Sequence, residues 1–450
     1  MKNLLLSLSL AGLCFSQASA QVTHPQPSAR HIGDGVRSVG DSNRYVPESE
    51  DQRPESFKPK NGVARSASYS SSADGTLLAP AAAESIVRQA SYMGNAGLVS
   101  RGSATDLWLS AETLLWFSDN QKSPPLITTA ASGVRPVAGA MGVTTNLGGP
   151  DGIERGILPG FRLAGGKFLG EDQKVGVGGR VFGIFSNETT YTATSDGSTS
   201  LGLPFYNLQL QTPDAFLVAF HDGIETVSAG TASARSDLDM IGADGSLHLL
   251  LGRSSNHRAD LLIGYTYNRL KNSIGVTSTS TNLSTTDAIA DGTVFYTNDL
   301  FETQNDFNGA HLGVLSNVTA NRVSLSTLAK VSFGNMRQTS AIRGFTTETL
   351  GAVTNGYAGG LLTQTSNIGT MTRDTFAFIP EMGIKLGYAP QDNIHLTIGY
   401  TFMFWSAVGL AGDQIDPTVD LLGLGGRPAA NFVDSTFWMQ GIDLGVVLDF

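Results

Sequence analysis

The chain has 450 residues, 41% apolar and only 15% charged, with 53 glycines, one cysteine and a formal charge of −10. That cysteine count excludes a disulfide framework or thiolate metal site, and an acidic chain without a basic cluster argues against nucleic acid as the main partner. No run of about 18 apolar residues occurs beyond the N-terminus, which excludes helical membrane spans. Charge this sparse at a mean hydropathy of −0.01 leaves a β-rich soluble protein or a membrane barrel.

Residues 1–20 read as an export leader. Lys2 gives the positive start, Leu4 to Phe15 the apolar stretch, and Ala18-Ser19-Ala20 the small-x-small cleavage site. Cleavage would remove Lys2 and Cys14, leaving a cysteine-free exported chain suited to an oxidising compartment. Residues 21–105 are proline-bearing and serine-rich, with almost no periodic apolar pattern. Such a segment cannot bury enough surface to offset its chain entropy, so it reads as a flexible periplasmic arm.

From residue 106 to 450 the period is two. Strands are expected at 106–117, 160–169, 174–185, about 231–252, 257–268, 301–318, 322–333, 374–388, 393–405 and the end of the chain. The clearest is 393–405, with Ile394, Leu396, Ile398, Tyr400, Phe402 and Phe404 on one face against His395, Thr397, Gly399 and Thr401. Tight turns at 170–173, 253–256, 319–321 and 389–392 alternate with long polar links at about 118–159, 186–230, 273–300, 339–373 and 408–434. Strict alternation of short and long connections is the habit of an outer-membrane barrel. The expected fold is therefore all-β: an antiparallel transmembrane β-barrel of ten strands, or twelve if a hairpin hides in 186–230.

The apolar phase would face outer-membrane lipid and the polar phase the lumen, since lipid leaves backbone groups no partner outside a closed sheet. Trp108, Trp116, Phe117, Tyr265, Tyr267, Phe402, Phe404 and Trp438 lie near strand ends, as interfacial girdles require. Phe450 closes the last strand with the terminal aromatic that barrel-assembly machinery reads, which makes that machinery an expected partner. Pro380 removes one ladder hydrogen bond inside a strand, and a local bulge is expected there.

Several blocks then resemble one family. They are the run Leu107 to Trp116, Pro125 to Thr129, Asp260 to Tyr265, Asn305 to Gly313, Asn367 to Gly369, Ile379-Pro380-Glu381 and Gly399 to Ser406. Together they are similar to the beta-barrel porin-7 family of planctomycete-type outer-membrane barrels, over roughly 105–450. The resemblance implies location and architecture, and contributes no catalytic residues.

Inward phases place Glu112, Asp244, Asp260, Glu381 and Asp443 in the lumen against Arg162, Arg180, Lys330 and Lys385. Five acids facing four bases can line a selective pore, or can form a salt-bridge network that fills a small barrel. Ten to twelve strands fall between filled eight-stranded barrels and open porins. Inward Gly264, Gly399, Gly441 and Gly445 would widen the lumen or ease curvature. His248, His311 and His395 also point inward, without an evident nucleophile and orienter. Asp413, Asp416 and Asp420 are spaced too loosely for a calcium loop. No catalytic, cofactor-binding or metal-binding residue is assigned, and no cofactor is expected. The expected function is porin-like passive passage of small solutes rather than an enzyme activity. The alternative is a structural or surface-display barrel with a filled lumen and working outer loops.

Overall fold

The computed structural model describes residues 107–450 other than 186, 187 and 287. The expected leader and arm, over 1–105, lie outside these residues. The strands, in chain order, are β1 (Leu107–Ser118), β2 (Gln121–Ala131), β3 (Val143–Ile153), β4 (Leu158–Leu169), β5 (Val175–Ile184), β6 (Thr189–Ser195), β7 (Thr199–Asn207), β8 (Thr212–His221) and β9 (Thr226–Arg253). They continue as β10 (His257–Asn282), β11 (Val294–Ala320), β12 (Val323–Leu350), β13 (Val353–Ala358), β14 (Gly369–Gln391), β15 (Ile394–Val408), β16 (Thr418–Val419) and β17 (Ser435–Asp449).

Ten of them close a ring. β1 pairs with β4, then β5, β9, β10, β11, β12, β14, β15 and β17 follow, all antiparallel, and β17 returns to β1. The closure runs to the last residue, where the Phe450 amide donates to the Leu107 carbonyl at 3.1 Å. A ring leaves no strand edge in lipid, which is the condition for a sheet to cross a membrane. The hairpin expected within 186–230 exists as β7 and β8. It joins a second sheet with β2, β3 and β16 instead of widening the ring, so the count stays at ten.

Outward residues near the short-turn end are apolar and exposed, among them Leu109, Leu163, Val177, Ile263, Leu312, Leu325, Ile384, Ile398 and Leu444. The belt ends toward the long loops in aromatic pairs. Phe117 meets Trp438 edge-on at 6.3 Å, Phe161 stacks on Phe185 at 5.8 Å, and Phe378 tilts against Phe404 at 6.4 Å. Trp108 and Trp116 do not join this girdle. Both point inward and are buried, because they share the strand phase of Glu112.

The ring strands run much further than their apolar alternation. β9 and β12 have 28 residues each, β11 has 27, β10 has 26 and β14 has 23. The expected links at 273–300 and 339–373 are thus largely strand. Above the lipid belt the outward face becomes polar too, which erases the contrast between faces while the ladder continues. The inner face of this extension is covered by the second sheet. Leu126, Ile127, Leu203 and Phe205 of that sheet pack against Ala232, Ile274, Phe301 and Ile342 of the extended ring strands.

Pro380 produces no bulge. The β12–β14 register is unbroken through Val331 and Pro380. Instead the β14–β15 ladder stops at Glu381 and Met403, one residue short of the proline. Phe378, in the same phase, turns its amide toward β15 and donates to the Ser406 hydroxyl at 2.9 Å. The missing proline donor therefore falls where the ladder already ends.

Candidate functional site

The lumen is filled in tiers. Near the short-turn end, Arg258 grips Asp260 through two bonds of 2.7 Å and lies 4.1 Å over the Phe168 ring. His395 pairs with Asp449 at 2.8 Å. A cavity of about 100 Å³ lies against the middle tier, lined by the charged residues of that tier together with Trp108, Ser110, Leu262, Leu315 and Leu328.

Charge fills the middle tier. Arg162 of β4 reaches Glu112 at 2.8 Å and Asp443 at 3.1 Å, and Lys385 pairs with the same Glu112. Trp116 donates to Asp443 at 2.8 Å, and Thr401 adds another bond to it. Beside this group, Lys330 sits 2.9 Å from Asp244 and 3.0 Å from Glu381, while Arg180 reaches Asp244 at 2.5 Å and also pairs with Glu381. Each cluster holds two acids and two bases. The charges cancel locally, as burial of ions demands.

Eight of the nine lumen charges expected from the sequence meet in these two clusters. The ninth, Asp260, is taken by Arg258, a residue of the same strand phase two positions earlier. That spacing was the available clue to Arg258.

Beyond the charges lies an apolar tier. Trp116, Phe182, Phe307, Met336, Trp405 and Phe437 come from six different ring strands and are 0–3% exposed. The arginines below pack onto it, Arg162 at 5.5 Å from the Trp116 ring and Arg180 at 5.7 Å from Phe182. The inward glycines serve this filling. A Cβ on Gly264 would stand 2.7 Å from the His311 ring, and one on Gly441 would stand 2.6 Å from Trp116. At these two positions the space is taken by neighbouring backbone and rings, not by solvent.

The long-loop mouth is closed by the chain after β15. The Gly409 amide donates to Asn305 Oδ1 at 2.8 Å and its carbonyl accepts from Asn305 Nδ2 at 2.9 Å, and the Ala411 amide donates to Asn272 Oδ1 at 2.8 Å. Asp299, fully buried, accepts from the Leu361, Leu362 and Thr363 amides and the Thr363 hydroxyl. The three loop aspartates go to separate partners: Asp413 to Ser435, Asp416 to Arg427, and Asp420 to Gln209.

The expected inward histidines all have neighbours. His248 lies edge-on to Phe168 at 6.2 Å. His311 stands 2.8 Å from Ser246 through Nε2 and 2.8 Å from Thr266 through Nδ1. A hydroxyl thus occupies the place where a hydrolytic triad would put a carboxylate.

A closed antiparallel ring with an apolar girdled exterior and a polar, filled interior defines an outer-membrane β-barrel. The chain belongs to the family described as Putative beta barrel porin-7 (BBP7), whose model matches residues 108–450. No curated protein matches it in sequence. Among solved structures it is similar to the outer membrane protease OmpT from Escherichia coli, at 8% identity and TM-score 0.38, over 78% of this chain and 99% of that one. It is also similar to the P. putida toluene transporter TodX, at 10% identity and TM-score 0.19, over 78% and 91%. The translocator domain of autotransporter NalP from Neisseria meningitidis follows at 11% identity and TM-score 0.23, over 78% and 90%. None of these three carries an argument about what this chain does.

Proposed function

We propose that this protein is a closed, non-conducting outer-membrane barrel whose long-loop end, on the cell exterior, is the working part. One observation carries the reading: two locally neutral ion clusters are capped by an apolar tier that meets across the lumen. Water and ions entering a passage would have to break paired charges and then wet buried aromatic side chains, both costly. On this reading the leader delivers the chain to the periplasm, Phe450 presents it to the assembly machinery, and no catalytic step is assigned.

Porin-like passage of small solutes is the second reading. The family's description and the cavity of about 100 Å³ favour it. Single-channel recording of the purified barrel in a planar bilayer separates the two. The closed reading expects no steady conductance, whereas a large, steady, ion-selective current would replace it with the porin reading.

A further inference from the structure

The outward face of the extended strands changes character with height. Just above the aromatic girdle, neighbouring strands present Arg269, Asp306, Arg337 and Asp374 side by side, and Asp239 and Lys271 follow one step up. Two more charged rows follow, Asp237 with Glu302 and then Arg235 with Arg343, and above these the charges stop on the outward face of these strands. One transverse row, read through the register of six strands, is Thr192, Ser233, Thr277, Asn298, Phe345 and Ala358. The next is Thr194, Thr231, Thr279, Tyr296, Thr347 and Gly356, and a third carries Ala229, Thr281, Val294, Thr349 and Thr354. No charged residue stands in any of the three.

We infer that this lattice binds a neutral polysaccharide on the cell exterior, an inference that rests on the closed-barrel reading above. A surface that only had to stay wet would be charged, as the lower rows are. Hydroxyls and one amide instead offer both donors and acceptors, the complement of an uncharged polyol, and with no cation in these three rows they do not themselves recognise phosphate or uronate. Strands repeat about every 4.8 Å, comparable to the advance per sugar of an extended β-linked chain. A chain lying across the strands therefore meets one hydroxyl per sugar along the middle row from Thr194 to Thr347.

The lattice is ordered in advance. Thr192 bonds Ser233 at 2.8 Å, Thr194 bonds Thr231 at 2.9 Å and Thr349 bonds Thr354 at 3.0 Å, and β-branched side chains have little rotamer freedom to lose. Tyr296 and Phe345, with ring centroids 5.6 Å apart, give the face an aromatic platform for the apolar side of a pyranose.

Co-sedimentation of the detergent-purified, full-length barrel with microcrystalline cellulose, chitin or agarose tests this. Binding to at least one of these neutral polymers, competed by its soluble oligosaccharide and unchanged in high salt, is expected. Tyr296→Ala and Thr279→Lys should each weaken it about tenfold or more, and Thr194→Lys on the short strand β6 should do the same if Thr279→Lys fails to fold. Thr339→Lys, lower on the same face, should bind as wild type. Sedimentation with none of the three polymers, loss in salt, or indifference to all the lattice variants overturns the proposal. Bilayer recordings on the same preparations report the closed lumen separately: a conducting barrel that still binds polymer sinks the closed-barrel reading and not the polysaccharide proposal, and a silent barrel that binds none sinks the polysaccharide proposal and leaves the closed-barrel reading standing.

Discussion

Arg162 on β4 lies between Glu112 of β1 and Asp443 of β17, at 2.8 and 3.1 Å, and so spans the seam where the first and last ring strands meet. Closing a ring from strands at opposite ends of the sequence carries the largest loop entropy, and one guanidinium ties both to a third strand. Arg162→Ala would leave Glu112 to Lys385 alone and Asp443 with only the neutral donors Trp116 and Thr401. A loss of about 3–5 kcal/mol is expected, read as a lower denaturant midpoint for the folded band on unheated gels. Arg162→Lys, which keeps the charge but not the fork, should fall between. An unchanged midpoint for Arg162→Ala would show that the seam holds without it.

Breaking the neighbouring cluster should open the lumen before it alters selectivity. Lys330→Ala leaves Asp244 and Glu381 sharing Arg180 alone, and Glu381→Ala leaves Lys330 and Arg180 sharing Asp244 alone, so either change leaves one charge of the cluster uncompensated. A lumen site can hydrate or rearrange around the unpaired ion. Single-channel traces of either variant should show more conductance or noise than wild type, with little change in reversal potential. Reversal potentials that move while conductance stays high would instead mark a selective pore.

The end of the β14–β15 ladder makes Ser406 more valuable than its half-buried, outward-facing position implies. Its hydroxyl accepts the Phe378 amide, so Ser406→Ala should cost about 1 kcal/mol. Pro380→Ala supplies a donor toward β15 and should raise stability or leave it unchanged. Denaturant midpoints of the two variants, which are expected to move in opposite senses or by clearly different amounts, check the assignment.

Acid should loosen the loop after β15 through two of its carboxylates, Asp416 and Asp420. Burial pushes the Asp416 carboxyl up, but bonds from the Ala429 amide, Arg427 and the Thr418 amide outweigh it and hold the group below its ordinary range. Asp420 is likewise lowered, burial being outweighed by the Gly425 and Leu422 amides and Gln209. A carboxyl lowered on folding stabilises above its unfolded pKa, about 3.9, and that contribution fades as pH falls toward the folded value. Protection of the amides over 411–434, taken relative to the intrinsic exchange rate at each pH, should therefore be high at pH 5–7 and fall below about pH 4. Equal protection at pH 6 and pH 3 would remove the two carboxylates from this role.

The lipid-facing half of the ring was legible because outward residues such as Ile263 and Leu312 contrast with inward Thr266 and His311, and a period of two survives any loop length. Strand phase also named the lumen charges. It could not name their partners: Glu112 and Lys385 are far apart in sequence and meet only because the ring closes. The outer halves were hidden for a different reason. Over Ile274 to Ser280 the inward face reads Ile, Val, Ser, Ser and the outward face Gly, Thr, Thr, so neither face is marked. Trp116 shows a clue passed over: four residues from inward Glu112 on one strand, it had to point inward as well.

The length of the ring strands has a mechanical consequence. β10 is one uninterrupted strand from Arg258 beneath the ion clusters to Thr279 on the outer face, hydrogen-bonded on both sides by β9 and β11. A tether attached at the tip would pull nearly along the strands and load dozens of ladder bonds in shear at once, not peel them one at a time. Neither flank contains a hinge: both ladders run on past the belt, with a single register shift near the short-turn end at Ala259 and Asp260. Such a strand set behaves as a mast stepped into the membrane, with its foot anchored by Arg258, Asp260 and the paired charges of the lumen.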